Sequence, residues 1–245
     1  MQKAMSEFRG LRVTASAALK EKRLLALLKG RDPAEPALLE AIEDAQLLGS
    51  LELSGLRVTW DEVVASRSGA APEPVRRLRQ ARSAVDSKAP LTLDAVRAWR
   101  AALFGAEAGW RSRARAREGV PPAPPELIAG RLSILEEWIN SESGRDLKPA
   151  QQGALALARL VEILPFEDGN GRVSRLAASH LMVRGGLRPP ILAAGDGPRL
   201  AACLQAAFHF DTEPLCALLV EASERCLDVM IQTLERGLSG RAGDG

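Results

Sequence analysis

Tyrosine is absent from this 245-residue chain, histidine occurs twice and aromatic residues make up 4%. No apolar run approaches the ~20 residues of a membrane span. The opening Met-Gln-Lys-Ala-Met-Ser-Glu-Phe has no apolar core, so no signal peptide is expected. An excess of one charge is also missing. The net charge is +2, which gives no broad field for nucleic acid, and nucleic acid is not an expected partner. Three cysteines, Cys203, Cys216 and Cys226, are an odd count without metal-ligand spacing. They read as buried thiols in a reducing, cytoplasmic setting. Strand-forming residues are sparse, and Ala, Leu and Arg dominate, which favours helix.

The composition that remains, 46% hydrophobic and 26% charged, supports one large or two modest domains. Helical spacing of apolar residues runs from end to end. Residues 11–29 predict a first helix. Asp32-Pro33-Ala34-Glu35 reads as a helix start that carries Leu38, Leu39, Ile42 and Leu48 to about Ser54-Gly55. Thr59-Trp60-Asp61-Glu62 is a capping box. Val75–Val85 predicts a short helix with Arg76, Arg77 and Arg79 on a solvated face. Thr92 caps a helix ending at Gly105–Gly109. Trp110–Arg117 alternates arginine with small residues, which predicts an extended, exposed segment. Pro121, Pro122, Pro124 and Pro125 exclude a long central strand there. Further helices are expected from Leu127 to about Asn140, from Pro149 to Leu164, from Val173 to Gly185, over Arg199–Phe208 and over Glu213–Leu238. The fold class is all-α, with one small hairpin expected around 111–125. The chain divides into an N-terminal helical region (1–90), a core (91–238) and a mobile tail (239–245), forming one unit.

The chemistry concentrates in Leu164–Arg175, Leu-Pro-Phe-Glu-Asp-Gly-Asn-Gly-Arg-Val-Ser-Arg. A helix ends, a tight loop follows and a second helix starts. Gly169, Asn170 and Gly171 tolerate positive φ, so their backbone N–H groups can form a concave nest at a helix N-terminus, where orphan donors and the macrodipole favour an anion. Arg172 and Arg175, three apart, can swing to one side of that helix start, and guanidinium suits phosphate. Asp168 can hold a hard divalent cation against the same phosphates. The alternative is an ordinary turn with solvated arginines. The coincidence of nest, acid and two arginines favours a di- or triphosphate site with a metal.

This stretch resembles the signature of the Fic (Fido) family: His-Pro-Phe, a variable residue, an acid, Gly-Asn-Gly-Arg, two variable residues, Arg. The helix order over roughly 35–235 is also similar, and Gly109-Trp110-Arg111 looks like the start of the family's target-docking flap. The resemblance implies a Fic-type helical core that binds ATP, or another nucleotide, with Mg²⁺ and passes AMP to a hydroxyl of a target protein. Carried over by position, Asp168 would take the metal, and Gly169, Asn170, Gly171 and Arg172 the α- and β-phosphates. Arg175 would reach the γ-phosphate, and Phe166 would anchor the core. The departure is Leu164, which stands at the position of the family's catalytic histidine. Leucine has no lone pair and no pKa, and losing a general base typically costs ~10²–10⁴ in rate.

Many members also carry an inhibitory helix whose glutamate pairs with the second signature arginine. The matching register here is Ser50-Leu51-Glu52-Leu53-Ser54-Gly55, with Ser54 in place of that glutamate, so the resemblance implies that Arg175 is free of its inhibitory partner. His180 and His209 read as structural, and Glu167 as solvent-facing. Three functional readings follow. The first is a Fic-like pseudoenzyme that keeps a nucleotide site without conventional AMP transfer. The second is an enzyme that reuses the nest for histidine-independent transfer or hydrolysis. The third is a structural or partner-binding helical protein. The ligand, the protein target and the oligomeric state are not written in the sequence.

Overall fold

Thr59 behaves as its sequence context requires. Its hydroxyl accepts from the Glu62 N–H at 3.2 Å, and the Glu62 carboxylate accepts from the Thr59 N–H at 2.8 Å. Thr92 caps its own helix in the same way, accepting from Ala95 N–H at 3.1 Å. The computed structural model describes residues 15–30, 32–107 and 109–242, with side chains to 236. Its helices are α1 (Ala15–Leu28), α2 (Pro36–Glu52), α3 (Trp60–Ala65), α4 (Glu73–Ser83), α5 (Leu93–Phe104), α6 (Pro125–Asn140), α7 (Glu142–Arg145), α8 (Pro149–Ile163), α9 (Asn170–Arg184), α10 (Gly197–Phe208) and α11 (Glu213–Ala242). Short 3₁₀ turns lie at Ser66–Ser68 and Ala194–Asp196. No described helix is long and apolar enough to cross a membrane.

The α8–α9 hairpin is the centre. Small residues let these two helices approach closely: a Cβ on Gly153 of α8 would lie 2.9 Å from Met182 Cγ of α9. On one side, Leu160, Ile163, Phe166, Val173 and Leu176 pack with Trp99 of α5 and Leu132 of α6. On another, Ala154, Leu157, Ala178 and Met182 pack with Leu215, Leu218 and Ala222 of α11. Helices α1, α2 and α11 close a third apolar cluster through Leu24, Leu38 and Met230. Phe166 is buried in the first cluster, with its ring 5.3 Å from that of Trp110.

Several expectations are corrected. Among the described residues, 105–124 contain no strand, so the hairpin around 111–125 does not form. The prolines remove ladder donors, and Arg111 diverts the carbonyls, as described below. The second helix begins at Pro36 and not at Asp32, because the Asp32 carboxylate accepts from Ala34 N–H at 2.8 Å and folds a local turn. Arg79 is not solvated. It bonds Asp44, which is fully buried, at 2.5 Å and pairs with Glu43 at 3.1 Å. Arg67 grips the other Asp44 oxygen, so one buried carboxylate ties α2 to the turn after α3 and to α4. Helix α11 runs to Ala242, past the expected end at Leu238. The expected helical residues 11–14 and the final 243–245 lie outside the described residues.

Helix α2 is seated by Gly49, where a Cβ would lie 1.7 Å from the Leu192 carbonyl oxygen. Gly49→Ala must push α2 off the Leu192–Ala193 backbone, and a loss of about 2–3 kcal/mol is expected from urea denaturation. A loss below about 0.5 kcal/mol would show that this contact is not a constraint.

Candidate functional site: an arginine-lined loop at the start of α9

The loop between α8 and α9 is locked by side chains from within and without. Asn170 reaches back to Phe166, accepting from its N–H at 2.9 Å and donating to its carbonyl at 2.8 Å. Gly169 is left-handed at φ 84°, and a Cβ there would lie 2.6 Å from the Phe104 ring, so glycine is required on two counts. From outside, Arg111 enters the base of the loop and is 3% exposed. Its guanidinium donates to the carbonyls of Leu164 at 2.6 Å, Arg113 at 2.7 Å, Ile163 at 3.4 Å and also Ala123. Its own N–H donates to the Pro165 carbonyl at 2.8 Å. These acceptors include the carbonyls at the C-terminus of α8, where the helix dipole favours a cation. Arg111 was legible only as one of an alternating run. Its role depends on carbonyls more than 50 residues away in sequence.

At the mouth of the loop, α9 presents its first backbone N–H groups without intrahelical acceptors, the ordinary condition of a helix start. Arg172 is buried on the Phe104 ring, 4.9 Å from its centroid, with Asp168 4.0 Å away. Arg100 of α5 stacks 4.0 Å from the same ring, and its buried Nε has no hydrogen-bond partner. Burial lowers the Arg172 pKa, Asp168 opposes this, and Arg100 adds to the lowering. Arg175 lies over the turn, since a Cβ on Gly171 would be 3.2 Å from its Nη1. Burial, then repulsion from Arg172, brings its pKa down to about 10, so it remains charged at neutral pH. Among the described residues no carboxylate pairs with Arg175. The Asp168 side chain is 70% exposed, with one oxygen accepting from Gly169 N–H at 2.5 Å.

Asp168, Gly169, Asn170, Gly171, Arg172 and Arg175 are therefore brought to one helix start, and Leu164 sits at the other end of the same loop. Leu164 is left-handed, φ 53° and ψ 61°, and caps α8. His180 is remote from this chemistry, its ring 5.8 Å from that of Trp99, and His209 is an exposed residue at the end of α10. Glu167 is exposed as expected and bonds Arg115 at 2.8 Å. Among the described residues no three potential metal ligands cluster. Asp168 is the exposed carboxylate beside the helix start that could hold a divalent cation together with phosphate oxygens and water.

Residues 90–182 match the model of the Fic/DOC family. This part of the chain is similar to Fic/DOC domains. The protein adenylyltransferase Fic of Drosophila willistoni is 37% identical over 112 residues, covering 46% of this chain and 22% of the relative. The Drosophila melanogaster counterpart is 36% identical over the same length, covering 46% and 23%. The chain thus spans under a quarter of the length of these curated relatives. In fold, it superimposes on C. elegans Fic-1 (residues 134–508) with a TM-score of 0.74 at 20% identity, covering 90% of this chain and 74% of that one. A Fic-domain signaling protein from Bacteroides thetaiotaomicron gives 0.73 at 19% identity, covering 90% and 98%.

Within this Fic fold, Arg175 has no carboxylate partner among the described residues, but its donors are not free. The last turn of α2 clasps it: Ser50 Oγ accepts from its Nε at 3.0 Å, and Nη2 donates to the Ser50 carbonyl at 2.7 Å and to Ser54 Oγ at 2.8 Å. Ser54 in turn donates to the Ser50 carbonyl at 2.8 Å. The clasp is neutral. It satisfies donors without cancelling charge, so the arginine keeps its attraction for an anion. Ser54→Glu would place a carboxylate against Arg175 and neutralise it. Calorimetry with inorganic pyrophosphate should then show at least about tenfold weaker binding than the parent. Unchanged pyrophosphate affinity would mean that Arg175 does not hold the anion.

Proposed function

We propose that this chain is a Fic-type nucleotide-binding protein that has lost conventional AMP transfer. The observation that carries the reading is the pair of half-buried or buried guanidinium groups, Arg172 and Arg175, at the start of α9 with no full carboxylate compensation. Such groups bear a desolvation penalty that a phosphate relieves. In this reading the α9 N–H groups and Arg172 hold the inner phosphates, Arg175 takes the terminal one on release from Ser54, and Asp168 holds Mg²⁺. The ion would supply charge neutralisation on the phosphates.

An AMP transfer to a protein hydroxyl also needs a proton acceptor beside the incoming oxygen. Leu164 occupies that place and offers only hydrocarbon. The described residues of 105–124 gather carbonyls on Arg111 and offer no strand to pair with a target. The role that fits is binding or regulation, in the cytoplasm, where three free thiols remain reduced. Chemistry that needs no histidine on a phosphate-containing substrate is the second reading, favoured by the same arginine pair.

Isothermal titration with ATP and Mg²⁺ tests the first reading. Saturable binding is expected, weakened about tenfold or more in Arg172→Ala. Absence of heat at millimolar ATP would refute it. Leu164→His should melt with the parent protein, because histidine is tolerated at positive φ, and should raise AMP labelling of itself or a target by about 10²–10⁴. Turnover of labelled nucleotide by the unaltered chain would select the second reading.

A further inference from the structure

Apart from the loop at 164–175, a cleft of about 640 Å³ opens between α2, the turn after α4, the C-terminal half of α9 and α11. Its volume lies in the range of small-molecule sites. The walls are apolar over much of their area, with Leu39, Ile42, Val183 and Met230 among them, and Leu39 is 51% exposed there.

Polar groups facing the cleft divide sharply into the paired and the unpaired. Glu43 is held by Arg79 at 3.1 Å, and Arg188 by Glu21 at 2.8 Å. The Arg82 guanidinium makes no hydrogen bond or ion pair among the described residues, although Glu43 lies near enough to offset part of its burial. His180 is 2% exposed, and neither ring nitrogen makes a hydrogen bond of normal geometry, although the Ala89 backbone lies near enough to act on the ring. Burial and then Arg184 lower its pKa, against Asp86 and the Ala89 backbone, so the ring is neutral and has one N–H to give. Cys226, also on the wall, is pushed up to about 12 by burial. It remains a thiol, which rules out a thiolate nucleophile there.

An unpaired guanidinium and an unsatisfied neutral imidazole in an apolar cleft together call for one negative charge with several acceptor lone pairs and a hydrocarbon body. We propose that this cleft is a second binding site, for a small monocarboxylate with an apolar chain or ring, its carboxylate received by Arg82 and the His180 N–H. A polyanion such as a nucleotide triphosphate is the wrong match, because among the described residues only one unpaired cation faces the space.

The test compares octanoate with its neutral amide, octanamide, by calorimetry on the unaltered protein. Octanoate should bind at least about tenfold more tightly, since only the acid meets Arg82 with a charge. Arg82→Met should erase that preference, and Arg172→Ala should leave it intact. The proposal is overturned if acid and amide bind equally. It is equally overturned if Arg172→Ala abolishes octanoate binding, which would place the acid on the loop at α9, or if octanoate shows no saturable binding up to about 5 mM. The acid–amide comparison needs no mutant, so an unstable Arg82→Met leaves the outcome decidable.

Discussion

Positive charge held partly out of water at one helix start is the constraint around which this structure is arranged. Arg172 lies on Phe104, Arg175 lies over Gly171, and the α9 dipole adds its positive end to both. Mutual repulsion would scatter these groups if the backbone were soft. Asn170 prevents this by tying α9 to Phe166, and Phe166 is itself anchored in the apolar cluster between α5, α6 and the α8–α9 hairpin. Arg111 fixes the other end of the loop through the carbonyls that end α8. The site is thus stiff because its supports are buried, and electrostatically under-satisfied because Arg175 meets only hydroxyls and a carbonyl, and Arg172 an aromatic ring with the exposed Asp168 carboxylate at 4.0 Å. Preorganised donors of this kind are what anion recognition needs.

Much of this arrangement was legible in the sequence. The Gly-Asn-Gly turn, the two arginines three apart and the apolar residue before the loop all act locally, so spacing alone locates them. The caps at Thr59 and Thr92 are equally local. The register that set Ser54 against Arg175 was readable only through the family resemblance, because the two residues are 121 positions apart. What the sequence hid is long-range pairing of charge. Arg79 read as solvated but joins Arg67 on buried Asp44, and Arg111 read as part of an exposed segment but is consumed by backbone carbonyls. An arginine's long stem lets its head serve a partner that local periodicity cannot name. The same diversion of carbonyls, with four nearby prolines at 121, 122, 124 and 125, explains why the expected hairpin is absent.

In the proposed reading, Leu164 separates binding from chemistry in this Fic-like fold. Its backbone is left-handed, a conformation that costs a β-carbon-bearing residue roughly 1–2 kcal/mol, yet the loop retains it because Arg111 and Leu160 hold its carbonyl and N–H. The loop geometry therefore does not depend on the side chain that a transferase would place there. In that reading the parts that would hold an anion and the part that would activate a hydroxyl are separable, and the first set is kept. A crystal structure with a non-hydrolysable ATP analogue and Mg²⁺ tests this most directly. The account predicts phosphates on the α9 N–H groups and Arg172, the ion on Asp168, and Arg175 released from Ser54 to the terminal phosphate. Phosphates bound elsewhere, or a loop left empty at saturating nucleotide with Arg175 still clasped by Ser50 and Ser54, would contradict it.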